Sequence, residues 1–210
     1  MKLHRPPFLP FLLLATILVH ASATTSATAA PAPAPIPTTN DTDFIRTSCG
    51  TTLYPEVCYI SLSGYANVVQ QDPARLASVA IGVSLSTARR MASYVSNLSR
   101  QADYGSDHRA ASALHDCHTV FGDAVDGITG SLQQMRHLGG SPEALRFQVS
   151  NVQTYMSAAL TNEETCTDGF DDVPDCPVKS DVSGRVVKVK KVTSNALALV
   201  NSYASKATNP

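Results

Sequence analysis

Apolar residues recur at helical spacing along nearly the whole chain after residue 42, and the interruptions fall where helices would have to end. Asp72-Pro73 reads as an N-cap followed by a first-turn proline, whose missing N–H costs nothing there. The helix it opens carries Leu76, Val79, Val83, Met91, Val95 and Leu98 on one side. Gly105-Ser106-Asp107 starts a second, with Leu114, Cys117, His118, Phe121, Val125, Ile128, Leu132 and Met135 on its stripe, and Gly139-Gly140 stops it. Ser141-Pro142-Glu143 caps a third, bearing Leu145, Val149, Val152, Met156 and Leu160. Residues 181–205 supply a fourth through Val182, Val186, Val189, Thr193, Ala196, Val200 and Tyr203. No alternating strand of useful length interrupts them. Four amphipathic helices with short connections bury their stripes together as an antiparallel four-helix bundle, so the predicted fold is all-α, with residues 43–70 as a smaller N-terminal helical hairpin.

Composition changes the picture only before the bundle. Lys2 and Arg5 precede an apolar run from Phe8 to Val19, and Ala21-Ser-Ala23 follows it as a small-residue cleavage site. The run is short of the roughly 20 residues that span a bilayer. Residues 1–23 are therefore expected to be a signal peptide. Residues 24–41, rich in Ala, Pro, Ser and Thr, form a linker that cannot bury enough apolar surface to order itself. Residues 42–210 form a single helical domain. Removing Lys2 and Arg5 from 16 basic residues leaves 14 against 17 acidic ones, a balance that gives no reason to expect a nucleic-acid or anionic-membrane partner. Asn40-Asp-Thr42 and Asn97-Leu-Ser99 are N-glycosylation acceptors in a secreted chain.

Secretion gives the five cysteines an oxidising environment. Cys166 lies in the acidic, polar stretch 161–170, read as a turn just past the third amphipathic segment, and Cys117 on the second stripe is its natural candidate partner. Cys49 and Cys58 are a tighter local pair. Four cysteines allow three pairings, and spacing does not choose among them. Closing a loop of about 50 residues would stabilise by roughly 4 kcal/mol, and one of about 10 residues by roughly 2.7 kcal/mol. Cys176, in Val173-Pro-Asp-Cys-Pro177, is left over, and in this stiff loop a free thiol is expected rather than an intermolecular bridge. His108, His115 and His118 raise the question of a metal or a general base, but His118 falls on the core stripe and no zinc-binding, phosphate-binding or nucleophile motif accompanies them. No catalytic residue, metal or cofactor is expected.

Five segments in order give the chain a specific resemblance: Cys49-Gly-Thr-Thr-Leu-Tyr-Pro-Glu-Val-Cys58, Ala113-Leu-His-Asp-Cys117, Val152-Gln-Thr-Tyr-Met-Ser-Ala-Ala-Leu160, Thr165-Cys-Thr-Asp-Gly-Phe170 and Ser194-Asn-Ala-Leu-Ala-Leu-Val-Asn-Ser202. From about Phe44 to Ala207 it resembles the plant invertase and pectin methylesterase inhibitor family. The resemblance implies a disulfide-stabilised four-helix bundle with Cys49–Cys58 and Cys117–Cys166 bridges, and inhibition of a cell-wall carbohydrate enzyme by covering its active-site cleft. The repeated Ala-Pro of residues 30–35 likewise resembles sites that plants hydroxylate and glycosylate. Within the family, invertase inhibitors commonly carry Pro-Lys-Phe near the turn between the second and third bundle helices, where this chain has Gly140-Ser-Pro-Glu-Ala-Leu-Arg146. The Val152–Leu160 and Glu-Glu-Thr-Cys segments instead resemble the pectin methylesterase inhibitors, with Tyr155 where Trp is frequent.

The expected function is that of a secreted, apoplastic or cell-wall inhibitor of pectin methylesterase, acting as a reversible 1:1 complex. An acid invertase is the alternative target, and a non-inhibitory cell-wall interaction protein the alternative class. Pectin methylesterase activity of the chain itself is not expected, since no β-rich catalytic region follows the bundle before Pro210. Asp116, Asp123 and Asp126 cluster on one side of the second helix, roughly opposite its apolar stripe. By itself such a face is merely solvated. The resemblance implies that Asp123, Asp126, Thr165 and Asp168 face the enzyme, and Asp116 joins them by its position on the helix. The resemblance also allows the hairpin to exchange between protomers, so a monomer and a hairpin-exchanged dimer are both expected forms.

Overall fold

The computed structural model describes residues 39–101 and 108–208; the predicted signal peptide, most of the linker and the Gly105-Ser106-Asp107 helix start lie outside them. Four long helices form the bundle: α4 (Pro73–Gln101), α5 (His108–Arg136), α6 (Pro142–Asp168) and α7 (Pro177–Thr208). Ahead of them come α1 (Thr39–Cys49), α2 (Pro55–Leu62), a single 3₁₀ turn (Ser63–Tyr65) and the one-turn α3 (Ala66–Val69). Each long helix packs against two neighbours in the cyclic order α4, α5, α6, α7, so the α5–α6 and α4–α7 layers are opposite sides of the bundle.

The helix ends follow the chemistry read from the sequence. Asp72 Oδ1 accepts from the backbone N–H of Ala74 at 2.7 Å and of Arg75 at 3.2 Å, and Pro73 fills the first position of α4. Ser141 Oγ accepts from the Ala144 N–H at 3.3 Å, with Pro142 at the first position of α6. Between α5 and α6, Gly139 (φ 150°) and Gly140 (φ 94°) take left-handed backbone that a side chain would strain.

Two boundaries differ from the sequence reading. Thr39, Asn40 and Asp41, assigned to the linker on composition, are the first turn of α1; Gln71 Nε2 donates to Asp41 Oδ1 at 3.0 Å and ties that turn to the entry of α4. The last helix starts at Pro177, one turn before its apolar stripe, because Pro177 needs no N–H partner and the Cys176 carbonyl accepts from the Ser180 N–H. Asn40 and Asn97 both lie on the surface.

The core contains Leu76, Met91, Leu114, Phe121, Ile128 and Met156, with small residues closing the helix contacts. On α4 the small residues Ala77, Ala80, Ser84 and Ala88 are buried beside Leu76, Ile81, Met91 and Val95, whereas Val79 and Val83 are half-buried, so the buried face is turned slightly from the stripe read in the sequence. His118, placed on the core stripe by spacing, is exposed; it lies one residue beyond Cys117, at the edge of the stripe, where an imidazole reaches water.

Both disulfides implied by the resemblance are present, Cys49–Cys58 joining α1 to α2 and Cys117–Cys166 joining α5 to α6. Cys176 is unpaired and half-buried. The N-terminal helices are fixed to the bundle by Asn195 of α7, a buried amide whose Oδ1 accepts from the Tyr54 N–H at 3.1 Å and whose Nδ2 donates to the Tyr54 carbonyl at 2.9 Å. Tyr54 is the N-cap of α2 and has no side-chain cap of its own. Asn195→Leu removes both bonds and is expected to cost about 2 kcal/mol, with faster hydrogen exchange confined to residues 50–62. Unchanged exchange there would show that the disulfide and apolar contacts hold the hairpin without Asn195.

Candidate protein-docking face

Helices α5 and α6 run antiparallel at close range. Cys117 is bonded to Cys166. A Cβ on Gly127 would lie 3.1 Å from the Tyr155 carbonyl oxygen, and Ser131 Oγ donates to the Val152 carbonyl at 3.4 Å. These contacts fix one register, in which each step toward the C-terminus of α5 meets a step toward the N-terminus of α6. Gly130 opens a space that the Tyr155 ring fills: a Cβ there would be 3.4 Å from Cδ2. Tyr155 thus lies over the seam between the two helices, 40% exposed.

All five partner-binding residues expected from the sequence, Asp116, Asp123, Asp126, Thr165 and Asp168, are exposed. They share the outward surface of the α5–α6 layer but are not one cluster. Asp116 and Thr165 adjoin the disulfide at the same level. Asp123 and Asp126 lie about 10 and 15 Å further along α5, level with Leu160 and Ser157. At about 100° per residue, Asp116 and Asp123 flank the seam, Asp126 points straight out from α5, and Asp168 points away from the α5 side of α6. The result is a band of carboxylates beside a central aromatic ring.

The stretch 161–170 is not a polar turn. Helix α6 continues through Cys166 to Asp168, Phe170 is wholly buried, and Val173 follows it into the core. Glu163, in the middle of this stretch, is wholly buried as well. Its Oε1 accepts from Thr193 Oγ1 of α7 at 2.7 Å, and Thr193 Oγ1 lies 2.8 Å from Ser84 Oγ of α4. One polar chain thus ties three helices together, while Glu163 Oε2 has no protein partner. Burial raises the Glu163 pKa to about 8, against the opposing effects of the Thr193 hydrogen bond and the Lys190 ammonium. The next residue, Glu164, faces out and pairs with Lys190 Nζ at 2.7 Å.

Among the described residues no group of His, Cys, Asp and Glu could hold a metal ion, and no helix is long and apolar enough to cross a membrane. Residues 43–199 match the family described as "Plant invertase/pectin methylesterase inhibitor". The chain belongs to that family. Against members of the plant invertase/pectin methylesterase inhibitor family and similar proteins the likeness is extensive. A 21 kDa protein of Daucus carota is 42% identical over 165 residues, covering 78% of this chain and 84% of that protein. Pectinesterase inhibitor 11 of Arabidopsis thaliana is 41% identical over 167 residues, covering 78% and 82%. The crystal structure of a mutant form of a pectin methylesterase inhibitor from Arabidopsis has the same fold, with a TM-score of 0.59 over 75% of this chain and 95% of that one at 19% identity. Plant invertase/pectin methylesterase inhibitors are inhibitors rather than enzymes, in line with the sequence reading.

Tyr155, Phe147 and Glu163 were not singled out as site or core residues by sequence reasoning. Phe147, 69% exposed on α6, and Tyr155 have the signature of apolar groups left outside a complete core. Glu163 had a legible signal: with Met156, Ala159 and Cys166 it falls on the buried stripe of α6, against the expectation for its residue type.

Proposed function

We propose that the chain is a secreted inhibitor of plant pectin methylesterase, forming a reversible 1:1 complex in which the outward face of α5 and α6 covers the enzyme's active-site cleft. The observation that carries this reading is the 41% identity to a pectinesterase inhibitor over most of both chains. The absence of Pro-Lys-Phe at 140–146 favours the pectin methylesterase over an acid invertase. The α5–α6 face has the composition such a complex needs. Tyr155 and Phe147 supply apolar contact, and Asp116, Asp123, Asp126, Thr165 and Asp168 surround it with polar groups that set orientation and association rate. Exposed charges contribute only about 0.2–1 kcal/mol each, so the aromatic ring carries most of the affinity. The N-terminal segment, the two sequons and the oxidised cysteines support an apoplastic location.

Tyr155→Ala is expected to weaken inhibition of a plant pectin methylesterase by about 10- to 100-fold and to lower Tm by only a few degrees, because the ring fills the space over Gly130 but is not part of the buried core. Asp123→Asn and Asp126→Asn are each expected to weaken it by about 2- to 5-fold and to slow association. Inhibition constants measured for the three variants test the face. Unchanged constants for all three would place the enzyme contact elsewhere on the bundle.

A further inference from the structure

The side of the bundle opposite the α5–α6 face carries the opposite charge. Helices α4 and α7 together bear ten Lys and Arg against one acid, Asp181, while α5 and α6 bear three Arg against seven Asp and Glu. This is strong segregation in a chain whose net charge is −1. Two hollows of about 580 and 520 Å³ lie between α4 and α7, a third of about 620 Å³ adjoins them on the α5 side of α4, and Arg90 lines all three. From Gly82 to Tyr94 of α4 the α4–α7 trough extends about 18 Å. It is shallow and open, the shape for a chain laid along it rather than a small molecule enclosed by it.

The chemistry of the trough is specific. The Arg90 guanidinium donates to neutral hydroxyls, Ser86 Oγ and Thr87 Oγ1, each at 3.2 Å, and has no carboxylate partner among the described residues. Asp181 is engaged by Arg185 Nε at 3.0 Å and by the Tyr94 hydroxyl. It therefore neutralises Arg185 and lies within electrostatic reach of Lys188, but leaves Arg89, Arg90 and Lys191 without an acidic partner in the described residues. Arg185, Lys188 and Lys191 are spaced three residues apart, a rise of about 4.5 Å each along α7. Tyr65 borders one hollow with a free-standing ring, and the Tyr94 ring borders the others with the Arg185 guanidinium 4.1 Å from its centroid on one face. Repeated cations beside aromatic rings and hydroxyls suit a polymer that repeats a carboxylate on a sugar, whose C–H faces lie on the rings while its acid groups meet the guanidinium and ammonium groups.

We infer that this trough binds an acidic polysaccharide carrying unesterified uronate carboxylates. The choice of polymer rests on the proposed pectin methylesterase inhibition, because removal of pectin methyl esters exposes such carboxylates where the inhibitor works. Occupancy of the α4–α7 side leaves the α5–α6 face open, so one molecule can hold the wall polymer and the enzyme together.

The test is binding of the full secreted chain to de-esterified polygalacturonate, with highly methyl-esterified pectin, a neutral glucan and anionic phospholipid vesicles as comparisons, at low and at physiological salt. Binding is expected to de-esterified polymer above all, weakening as salt rises. The triple variant Arg90→Gln, Lys188→Gln, Lys191→Gln should bind at least tenfold more weakly with its melting temperature kept. No binding, equal binding to esterified or neutral polymer, stronger binding to the vesicles, or unchanged binding by a folded triple variant would each overturn the inference. Since this assay contains no enzyme, its failure is distinct from failure of the inhibitor reading. Inhibition by the triple variant, measured in solution on a short substrate, should equal that of the unmodified chain.

Discussion

Glu163→Gln should make the protein markedly more stable than the unmodified chain at pH 9 and leave it nearly unchanged at pH 4. The carboxyl has an ordinary value of 4.5 and is raised to about 8 in the fold. Between those values the folded protein keeps a proton that the unfolded chain releases, so raising the pH favours unfolding. The stabilisation linked to Glu163 is whole below pH 4.5, falls through the window and is gone above about pH 8. At about 1.4 kcal/mol per pH unit the full fall is on the order of 5 kcal/mol, an upper bound that water entry and relaxation reduce. Glutamine reproduces the protonated acid: its carbonyl can accept from Thr193, and it carries no charge to desolvate. Denaturant titrations of both proteins from pH 4 to 9 should give curves that separate through the window. Parallel curves would mean that Glu163 is ionised in the fold, held by water or by movement of Lys190. The contribution of Glu163 is largest in acid, the condition of the proposed cell-wall location.

The second large effect is expected from Cys117→Ser with Cys166→Ser. The bridge closes 49 residues of sequence separation between the two helices of the proposed docking face. On the chain-entropy account its loss costs roughly 4 kcal/mol, which for a domain of this size lowers Tm by about 8–16 °C. The same change should weaken inhibition below the melting temperature, because Thr165 and Asp116 then lose the link that fixes their relative level. Calorimetry under non-reducing conditions, with inhibition assayed well below Tm, separates the two consequences. A loss under about 1 kcal/mol would mean that close packing at Gly127 and Gly130 already fixes the register.

The sequence and the fold agree where side-chain type and periodicity say the same thing. Asp72-Pro73, Gly139-Gly140 and Ser141-Pro142 set their helix ends by local geometry, and local geometry is legible from neighbours in sequence. The stripe on α7 was legible for the same reason, including Thr193, whose polar side chain did not disguise its position. Glu163 shows the limit: its place on α6 marks it as internal, its charge marks it as external, and only the Thr193 and Ser84 hydroxyls on two other helices explain the outcome. Asn195 and Tyr54 are 141 residues apart, so their paired hydrogen bonds had no local signal. On the docking face, the carboxylates could be placed by counting along α5. Tyr155 required the register of α6, because its exposure depends on Gly130 across the seam.

The most direct measurement of the central claim is a titration of the chain, produced in an oxidising host, into a plant pectin methylesterase, following acid release from methyl-esterified pectin, with sucrose hydrolysis by a plant acid invertase run in parallel. The account predicts saturable inhibition of the pectin methylesterase at one inhibitor per enzyme and no effect on the invertase. Inhibition of the invertase alone would contradict the proposed target, and inhibition of neither would contradict the proposed activity.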